Sequence, residues 1–404
     1  MTERLFHGDP YLRSFTARVV RRGTRMAGPA CPEGKPFVVL DRTAFYATSG
    51  GQPFDTGTLG GARVVDVVEE GEEILHVLDR DVAGDELAGE IDWARRRDHM
   101  QQHHGQHILS QALIRAANAD TVSFHLGEET STVDVTVADL HAKAVAEAED
   151  LANQVVFEDR EVTARVYTAA EAKGLPLRKP PTVTENLRIV SVPDFDFSPC
   201  GGTHPRRTGE VGLIKVLRWE KWKGMVRVEF VCGTRALREF RSRAGALAQA
   251  CAALATSPGD LPGLLAKRLE EAEATRKRAR EMEERLAVHE AAELFAAAPE
   301  VKGVKLVVAS FEGREPAILT TLAKGIREKG RAVALLGSRA EKATLLFSAS
   351  DGVTIDLREA MKEACAVLGG KGGGRPNHVQ GGATDGAKLA EAIERARAIV
   401  AGAL

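Results

Sequence analysis

The sequence has few cysteines, no long apolar run and almost no net charge. Among its 404 residues the cysteines are scattered, at Cys31, Cys200, Cys232, Cys251 and Cys365. This pattern provides no disulfide framework and favours a reducing cytoplasm. No apolar stretch approaches the length of a membrane span, and the N-terminus lacks a secretory signal pattern, so no membrane partner is expected. With a formal net charge of -2, any nucleic acid would have to bind a local basic patch.

The overall composition is that of an ordinary globular protein, with 44% hydrophobic and 28% charged residues. A chain of this length is too long for one compact core, so about two to four domains are expected. The patterns described next predict an α+β protein with four segments. These are a small β-barrel at 1–90, an α+β zinc-binding domain at 91–236, a helical connector at 237–300 and a small α/β domain at 301–404.

Residue patterns in the first half of the chain predict strands followed by a helix. Segments rich in β-branched residues lie at 16–20, 36–40 and 62–68, separated by glycine and aspartate turns. A helix is predicted at 93–118, because its apolar residues recur at helical spacing. Short strands follow, interrupted by a second helix at 138–155.

The second half changes from a helical to a mixed pattern. Residues 237–297 are dense in Ala, Glu, Arg and Leu and predict a long helix or a helical hairpin. Arg276 and Glu283 interrupt the heptad pattern, which argues against a long coiled coil. This helical stretch, or the C-terminal domain, is a candidate surface for a homodimer. Buried strands alternating with helices are predicted at 304–309, 332–336 and 343–348.

Two short motifs offer a complete set of metal ligands. His103 and His107 are four positions apart on the predicted helix, so both imidazoles point from one face. Cys200 and His204 enclose two glycines, which let the backbone fold tightly so that a thiolate and an imidazole converge. Three imidazoles and one thiolate form a tetrahedral set for one Zn²⁺ per chain.

Other interpretations of these motifs stay open. The spacing alone also allows His99 to pair with His103, whereas His104 projects about 100° away and is a poor ligand. Cys200 could instead be an inert buried thiol. Four protein ligands normally close a structural zinc site, whereas a catalytic site keeps one position open. A metalloprotease is disfavoured, because His104 occupies the position of the general-base glutamate in H-E-x-x-H.

The two motifs resemble a known family. The histidine motif with residues 108–113, followed by C-G-G-T-H at 200–204, resembles the editing domain shared by alanyl- and threonyl-tRNA synthetases. Residues 45–57 read F-Y-A-T-S-G-G-Q-P-F-D-T-G and resemble the alanyl-type motif F-Y-x-x-G-G-G-Q-x-x-D-x-G. The threonyl editing domain lacks that motif. Ser49 replaces the first glycine of the triplet, so the loop is less permissive there.

The glycine-rich loop is expected to contact the substrate. Gly50 and Gly51 let backbone N–H groups approach a ligand closely, and the amide of Gln52 can both donate and accept hydrogen bonds. Asp55 could bind a ligand hydroxyl or amine, or could equally be a turn residue. The candidates to contact a serine side chain are Thr48, Ser49 and Gln52. The predicted catalytic residues are Thr48, Gly50, Gly51, Gln52 and Asp55.

A third match lies near the C-terminus. G-G-K-G-G-G-R-P at 369–376, followed by Q-G-G at 380–382, resembles the DHH-associated domain that ends alanyl-tRNA synthetases. The run lacks the order of a phosphate-binding P-loop, and the chain has no Asp-His-His motif. The resemblance implies contact with the outer corner of tRNA, and the alternative is a flexible turn. The residues expected to bind tRNA are Lys371, Gly372, Gly373 and Arg375, with His378 as a further phosphate contact.

Other basic clusters lie at 95–97, 178–179, 206–207 and 218–227, the last with two tryptophans. Charge runs are usually solvated faces, but some of these clusters flank the zinc motifs. They are therefore candidates to guide the acceptor stem of a tRNA.

The resemblance implies a free-standing alanyl-tRNA editing protein of the AlaX group, in its long form. The predicted barrel begins too close to Met1 to leave room for an aminoacylation domain. The implied activity is ATP-independent hydrolysis, in trans, of mischarged tRNA(Ala), chiefly Ser-tRNA(Ala), with Gly-tRNA(Ala) as a second candidate. Zinc could activate water, polarise the carbonyl or position the substrate. Two alternatives are a tRNA-binding protein with a structural zinc and a zinc hydrolase for another small substrate.

Overall fold

The computed structural model describes residues 1–25, 34–178, 187–340 and 342–404. These residues form two compact units, Met1–Ala253 and Leu254–Leu404. Both units combine helices with sheets, so the predicted α+β class is confirmed. The division falls inside the segment predicted to be a helical connector, and each unit takes one of its helices. None of the helices in these ranges is long and apolar enough to cross a lipid bilayer.

The first unit starts with a barrel. Its elements are β1 (Glu3–Arg4), α1 (Leu5–Gly8), β2 (Ser14–Arg25), β3 (Lys35–Leu40), β4 (Arg42–Thr43), β5 (Gly57–Leu59), β6 (Ala62–Glu70), β7 (Glu73–Leu78) and β8 (Glu86–Ile91). Six strands close in the order β2-β3-β7-β6-β5-β8, with antiparallel neighbours. In β8 every second residue is buried, as the alternation of side chains along a strand requires.

Helix α2 (Trp93–Ala117) follows the barrel and carries the histidine motif. It begins where the Asp92 side chain accepts a hydrogen bond from the backbone N–H of Arg95, an N-cap. It ends at Asn118, whose left-handed conformation terminates the helix. Every residue from 99 to 110 is buried. Gly105 permits this packing, because a Cβ there would lie 2.3 Å from the Sγ atom of Cys232.

Two antiparallel sheets surround this helix. The elements after it are β9 (Thr121–Leu126), β10 (Ser131–Val135), α3 (Ala142–Phe157), β11 (Thr163–Tyr167), α4 (Ala169–Ala172), β12 (Leu187–Val192), β13 (Asp196–Pro199), a 3₁₀ helix (Thr208–Val211), β14 (Ile214–Trp222), β15 (Met225–Cys232) and α5 (Gly233–Ala253). The strand orders are β14-β15-β10-β9 and β11-β12-β13. One apolar cluster joins α2 and α3 to the four-stranded sheet, and it includes Ile108, Val145 and Phe230.

The second unit is a mixed sheet between helices. Its elements are α6 (Leu261–Ala297), β16 (Glu300–Val301), β17 (Val304–Glu312), α7 (Pro316–Lys329), β18 (Ala332–Arg339), β19 (Ala343–Ala349), α8 (Arg358–Leu368), β20 (Lys371–Arg375), β21 (His378–Ala383) and α9 (Leu389–Ala403). The strand order is β16-β17-β18-β19-β21-β20. Alternate residues of β18 join two different apolar clusters. Val333 packs with α8 and α9, whereas Ala334 packs with α6 and α7.

Candidate metal centre

Four side chains of the first unit meet where helix α2 faces the turn after β13. His103 and His107 come from the helix, and Cys200 and His204 come from the turn. One nitrogen or sulfur atom of each residue lies within 4.8 Å of the others. The Sγ atom of Cys200 is 3.4 Å from Nε2 of His103 and 3.3 Å from Nε2 of His204. The four residues predicted as ligands therefore form a group that could hold a metal ion.

The turn that carries Cys200 is packed against the helix. A Cβ atom on Gly202 would lie 2.2 Å from Cε1 of His103, whereas a Cβ on Gly201 would meet nothing within 4 Å. The guanidinium of Arg188 donates hydrogen bonds to the carbonyl oxygens of Cys200, at 2.7 Å, and Gly202, at 3.0 Å. The second glycine of the motif is thus required by the position of His103.

A buried amide holds His103. The Nδ1 atom of this histidine is 2.6 Å from Oε1 of Gln52, which is fully buried. Gln52 also donates from Nε2 to Oγ1 of Thr203 at 2.8 Å and accepts from the Thr203 N–H at 3.3 Å. Because an amide oxygen only accepts, Nδ1 of His103 carries the proton, and the lone pair of Nε2 faces Cys200. Gln52 thus lies behind a candidate ligand, fully buried, and its contact with substrate stays a prediction.

A carboxylate holds His107. The Nδ1 atom of His107 is 3.3 Å from Oδ2 of Asp196. Oδ2 also accepts a hydrogen bond from Oγ of Ser198 at 2.9 Å, and Oδ1 lies 3.2 Å from Nε of Arg178. Carboxylates behind ligating histidines fix the ring and its tautomer. The sequence analysis missed Asp196. A signal was present in D-x-S-x-C at 196–200, because alternate residues of a strand face one side.

His104 lies behind His204. Its Nδ1 atom is 3.1 Å from Nδ1 of His204, and its ring is completely buried. Its Nε2 atom is buried without a hydrogen-bond partner among the residues that the structure describes. His104 is not one of the four clustered ligand residues, in keeping with its predicted direction on the helix. Its contact with the second motif was not predicted.

The pKa values of Cys200 and His204 favour the forms in which these two side chains bind a metal. Burial alone would raise the pKa of Cys200, but the adjacent His103 and His204 hold it well below its usual value. Burial lowers the pKa of His204 to about 3, although Cys200 opposes this shift. Burial alone would lower the pKa of His107, but its hydrogen bond to Asp196 helps to raise that pKa above its usual value. A thiolate beside a neutral imidazole is the form in which these side chains bind a metal.

A cavity of about 300 Å³ opens beside the four residues and is lined in part by the glycine-rich loop. Ser49 and Gly50 line it. Gly50 and Gly51 have φ angles of 55° and 85°, which glycine adopts readily, and a Cβ on Gly51 would lie 2.6 Å from the carbonyl oxygen of Phe124. Thr48 is exposed, and its Oγ1 accepts a hydrogen bond from the N–H of Phe54 at 3.1 Å.

Asp55 was predicted to be a catalytic residue, but it lies in a buried ion pair. It is fully buried, and its carboxylate accepts hydrogen bonds from Nε of Arg96 at 3.0 Å and from the N–H of Tyr46 at 2.7 Å. Arg96 is fully buried as well. This ion pair joins α2 to the glycine-rich loop, and removing one partner would leave the other charge buried. Asp55 is therefore a structural residue, and Arg96 of the 95–97 cluster cannot face tRNA.

Several other predicted basic residues are engaged in ion pairs. Arg206 contacts Asp9, Arg207 contacts Asp159, Arg218 contacts Glu229 and Arg227 contacts Asp134. Arg178 contacts Asp196, and Lys179, its neighbour in the predicted cluster, lies outside the described residues. These partners reduce the positive charge that the clusters offer to nucleic acid.

The C-terminal glycine run forms an edge strand. Lys371, Gly372, Gly373 and Arg375 are all exposed on β20, which pairs with β21. The alternative of a flexible turn is therefore wrong. A cavity of about 540 Å³ beside this edge is lined by Gly373, Arg375 and His378, and also by Arg327 of α7.

Comparisons with known proteins match most of the chain. The family described as "tRNA synthetases class II (A)" matches residues 14–95, "Threonyl and Alanyl tRNA synthetase second additional domain" matches 187–229, and "DHHA1 domain" matches 303–402. The alanyl-tRNA editing protein AlaX-L of Pyrococcus horikoshii is 34% identical, over 94% of this chain and 94% of that protein.

Longer relatives match over the same region. An alanine–tRNA ligase of Pyrococcus abyssi is 32% identical over 97% of this chain, which spans 43% of that ligase. One from Ignicoccus hospitalis is 33% identical over 93% of this chain and 40% of its own length. The chain thus spans less than half of these ligases. The crystal structure of the C-Ala domain from Aquifex aeolicus alanyl-tRNA synthetase shares 29% identity, with a TM-score of 0.25, over 26% of this chain and 98% of that domain.

Proposed function

This chain belongs to the family of alanyl-tRNA editing proteins of the AlaX-L type, and from this premise we propose that it deacylates mischarged tRNA(Ala) in trans. The chief substrate is Ser-tRNA(Ala), with Gly-tRNA(Ala) as a second one. The observation that carries the proposal is the juxtaposition of the four candidate metal ligands with a cavity lined by the glycine-rich loop. A protein that only bound tRNA would not need a substrate cavity at its metal.

We propose zinc, one ion per chain, as the metal. Zn–N bonds of about 2.0 Å and Zn–S bonds of about 2.3 Å in a tetrahedron put nitrogen and sulfur about 3.5 Å apart. The separations of 3.4 and 3.3 Å from Cys200 to His103 and His204 fit this value. When bound, zinc would supply Lewis-acid polarisation and a fixed positive charge for an anionic transition state.

Residues of the glycine-rich loop orient the ester bond that joins the amino acid to the terminal ribose of the tRNA. In its hydrolysis, water adds to the aminoacyl carbonyl carbon, the bond to the ribose oxygen breaks, and that oxygen takes a proton. Ser49 and Gln52 bond to each other through their backbones at 3.1 and 2.9 Å. The N–H groups of Gly50 and Gly51 have no partner among the described residues. Donors of this kind stabilise the oxyanion that develops on the carbonyl.

Selectivity for serine requires a polar partner for its hydroxyl group. A site that hydrogen-bonds this hydroxyl rejects alanine, because the polar group is then left unpaired. Since Gln52 is fully buried, the exposed Thr48 and Ser49, of which Ser49 lines the cavity, are the favoured candidates. We expect Thr48→Val or Ser49→Ala to reduce the ratio of Ser-tRNA(Ala) to Ala-tRNA(Ala) hydrolysis, as measured by parallel deacylation rates.

The second unit would bind tRNA through the edge of β20. Lys371 and Arg375 are exposed there, and Arg375 and His378 line the adjacent cavity. Guanidinium and ammonium groups are suited to phosphate contacts, which fix a protein's position on RNA without reading its sequence.

We also propose self-association through α6. Its exposed apolar side chains include Leu265, Leu269, Met282 and Leu286. Burying such a stripe against a second copy would remove apolar surface from water. Sedimentation of the wild-type protein and of Leu269→Glu tests this proposal, which predicts a dimer that the substitution dissociates.

The experiment that tests the function is deacylation of Ser-, Gly- and Ala-tRNA(Ala) by purified protein, with zinc quantified in the same sample. Cys200→Ala serves as the comparison, because it removes the thiolate ligand. We expect the wild-type protein to hydrolyse Ser-tRNA(Ala) rapidly and to spare Ala-tRNA(Ala). The variant should be inactive and free of zinc. Bound zinc without hydrolysis would favour a tRNA-binding protein with a structural metal. Turnover of simple esters alone would favour a hydrolase for another small substrate.

A further inference from the structure

A second cavity of the first unit has no role in the proposed reaction. Its volume is about 730 Å³, and it lies where the start of α2 faces the start of α5 and the end of β9. Among its lining residues are Pro53, Trp93, Leu126 and Gly127. A volume of this size suits a ligand of one or two nucleotides, whereas an RNA duplex would rest on an open surface.

The charge of this cavity is predominantly positive. Four arginines line it, against the carboxylates of Asp98 and Glu128: Arg95, Arg97, Arg235 and Arg238. Arg235 is buried and is paired with Asp98 at 2.6 Å. Arg97 and Arg238 are exposed, and neither has an ion-pair partner within the described ranges. These two guanidinium groups are therefore available to an anionic ligand.

A buried histidine in the wall also lacks a partner. His99 lines the cavity and is only 3% exposed, and its Nδ1 atom has no hydrogen-bond partner in the described part of the chain. Burial, aided by the charge of Arg95, lowers the pKa of His99 to about 3, so the ring is neutral. A neutral imidazole nitrogen left unpaired inside a protein is costly, so His99 is a polar group of this wall that the fold itself does not satisfy.

The cavity adjoins the candidate metal centre across the glycine-rich loop. The N–H of Leu126 donates to the carbonyl oxygen of Gly51 at 3.2 Å, which joins β9 to that loop. Phe124 lines the cavity at the metal centre, and Leu126 lines the second cavity. Two residues of a strand span only about 7 Å. A single-stranded polynucleotide with its terminus at the metal centre could therefore enter the second cavity.

We propose that this second cavity binds the single-stranded nucleotides that precede the aminoacylated end of the tRNA. Arg97 and Arg238 contact their phosphodiester groups, and Trp93 provides an aromatic surface for a base. Unstacked RNA is bound through stacking on aromatic side chains combined with basic groups. The inference deepens the proposed function and rests on it, because that function places the aminoacylated end of the RNA at the metal centre.

The test measures binding of two uncharged RNA hairpins, one with a four-nucleotide single-stranded 3′ tail and one with a blunt end. The proteins are the full-length wild type, Arg97→Ala/Arg238→Ala and Arg241→Ala. Arg241 is exposed on α5 but does not line the cavity, which makes it a matched control. Zinc content and tryptophan fluorescence verify that each variant is folded.

We expect the wild type and Arg241→Ala to bind the tailed hairpin about tenfold more tightly than the blunt one, and the double variant to lose this preference. Because two phosphate contacts to a single strand disappear, the slope of log affinity against log salt should decrease by about 1.4. Equal wild-type affinity for the two hairpins, a preference retained by the double variant, or one lost by Arg241→Ala would overturn the proposal. Tail binding without deacylation of Ser-tRNA(Ala) would refute the proposed function and leave the binding site standing.

Discussion

The two units use glycine for different purposes. In the first unit, Gly202 leaves room for the imidazole of His103, and the residues around it form a buried cluster. In the second unit, Gly372 lies against Met361 and Cys365 of α8, while the strand that carries it is exposed along its length. The first glycine determines the position of a reactive group, and the second lets an edge strand pack on a helix. A glycine-rich motif therefore acquires its meaning from the atoms that a Cβ would meet.

The largest effect expected from this comparison is that of Gly202→Ala. Its Cβ would lie 2.2 Å from His103, so the imidazole or the turn must move. Displacement of a catalytic group by about 1 Å costs on the order of 100-fold in rate. We therefore expect kcat/KM for Ser-tRNA(Ala) to fall by about 100-fold, with loss of bound metal measured by elemental analysis.

Gly201→Ala is the matched control for this change. Its Cβ would meet nothing within 4 Å, so activity and metal content should remain close to wild type. Equal loss in both variants would mean that the turn needs glycine for its conformation rather than for the space beside His103.

Removing the carboxylate behind His107 should weaken metal binding less severely. Asp196→Asn removes the negative charge that orients His107, and such changes typically cost about 10- to 100-fold in metal affinity. Competition with a chromophoric chelator measures this loss. Asp134→Asn is the control, because Asp134 is also a buried carboxylate paired with an arginine but lies outside the cluster. Comparable weakening in the control would indicate general destabilisation.

In the second unit, Gly372→Ala should affect stability and leave the metal in place. Its Cβ would lie 2.8 Å from Cγ of Met361 and 2.9 Å from Sγ of Cys365. Overpacking of this kind costs about 2 kcal/mol in unfolding free energy. Gly373→Ala, whose Cβ meets nothing within 4 Å, should cost much less. Denaturant unfolding followed by circular dichroism compares them, and zinc loss from Gly372→Ala would contradict the separation of roles.

The smallest predicted effect is acid sensitivity of the first unit. Burial lowers the pKa of His76 from 6.5 to about 4, and its ring nitrogens contact Thr43 and the carbonyl of Val38. The unfolded chain therefore binds more protons between these pH values, and stability decreases as pH falls through this window. From pH 7 to 5.5 the loss from His76 is about 1 kcal/mol.

Tryptophan fluorescence can follow this transition, because all three tryptophans, Trp93, Trp219 and Trp222, lie in the first unit. His76→Gln removes one of several histidines with a lowered pKa and should reduce the pH dependence of unfolding by the contribution of His76. An unchanged slope would assign the acid sensitivity to other histidines.

The sequence predicted the parts of the site that depend on local geometry. His103 and His107 share a helix face because they are four residues apart, and Cys200 and His204 lie on one short turn. The long strands and α2 also lie where the spacing of their apolar residues predicts them. The four segment boundaries stay predictions, although the structure itself divides the chain at Ala253.

What the sequence did not predict depends on contacts between distant segments. Gln52 and His103 are 51 positions apart, and Asp55 and Arg96 are 41 apart. A glutamine and an aspartate in a glycine-rich loop have the composition of a substrate site, but here packing directs both inward. Likewise, the glycines of β20 have weak strand propensity, and their strand forms because β21 offers a partner.

The most direct test of the account is a titration of metal-free protein with Zn²⁺ while single-turnover deacylation of Ser-tRNA(Ala) is recorded. The four ligands predict that activity rises linearly and reaches its maximum at one equivalent of zinc per chain, with Ala-tRNA(Ala) spared throughout. Full activity in the metal-free protein, or zinc uptake to one equivalent without any deacylation, would contradict it.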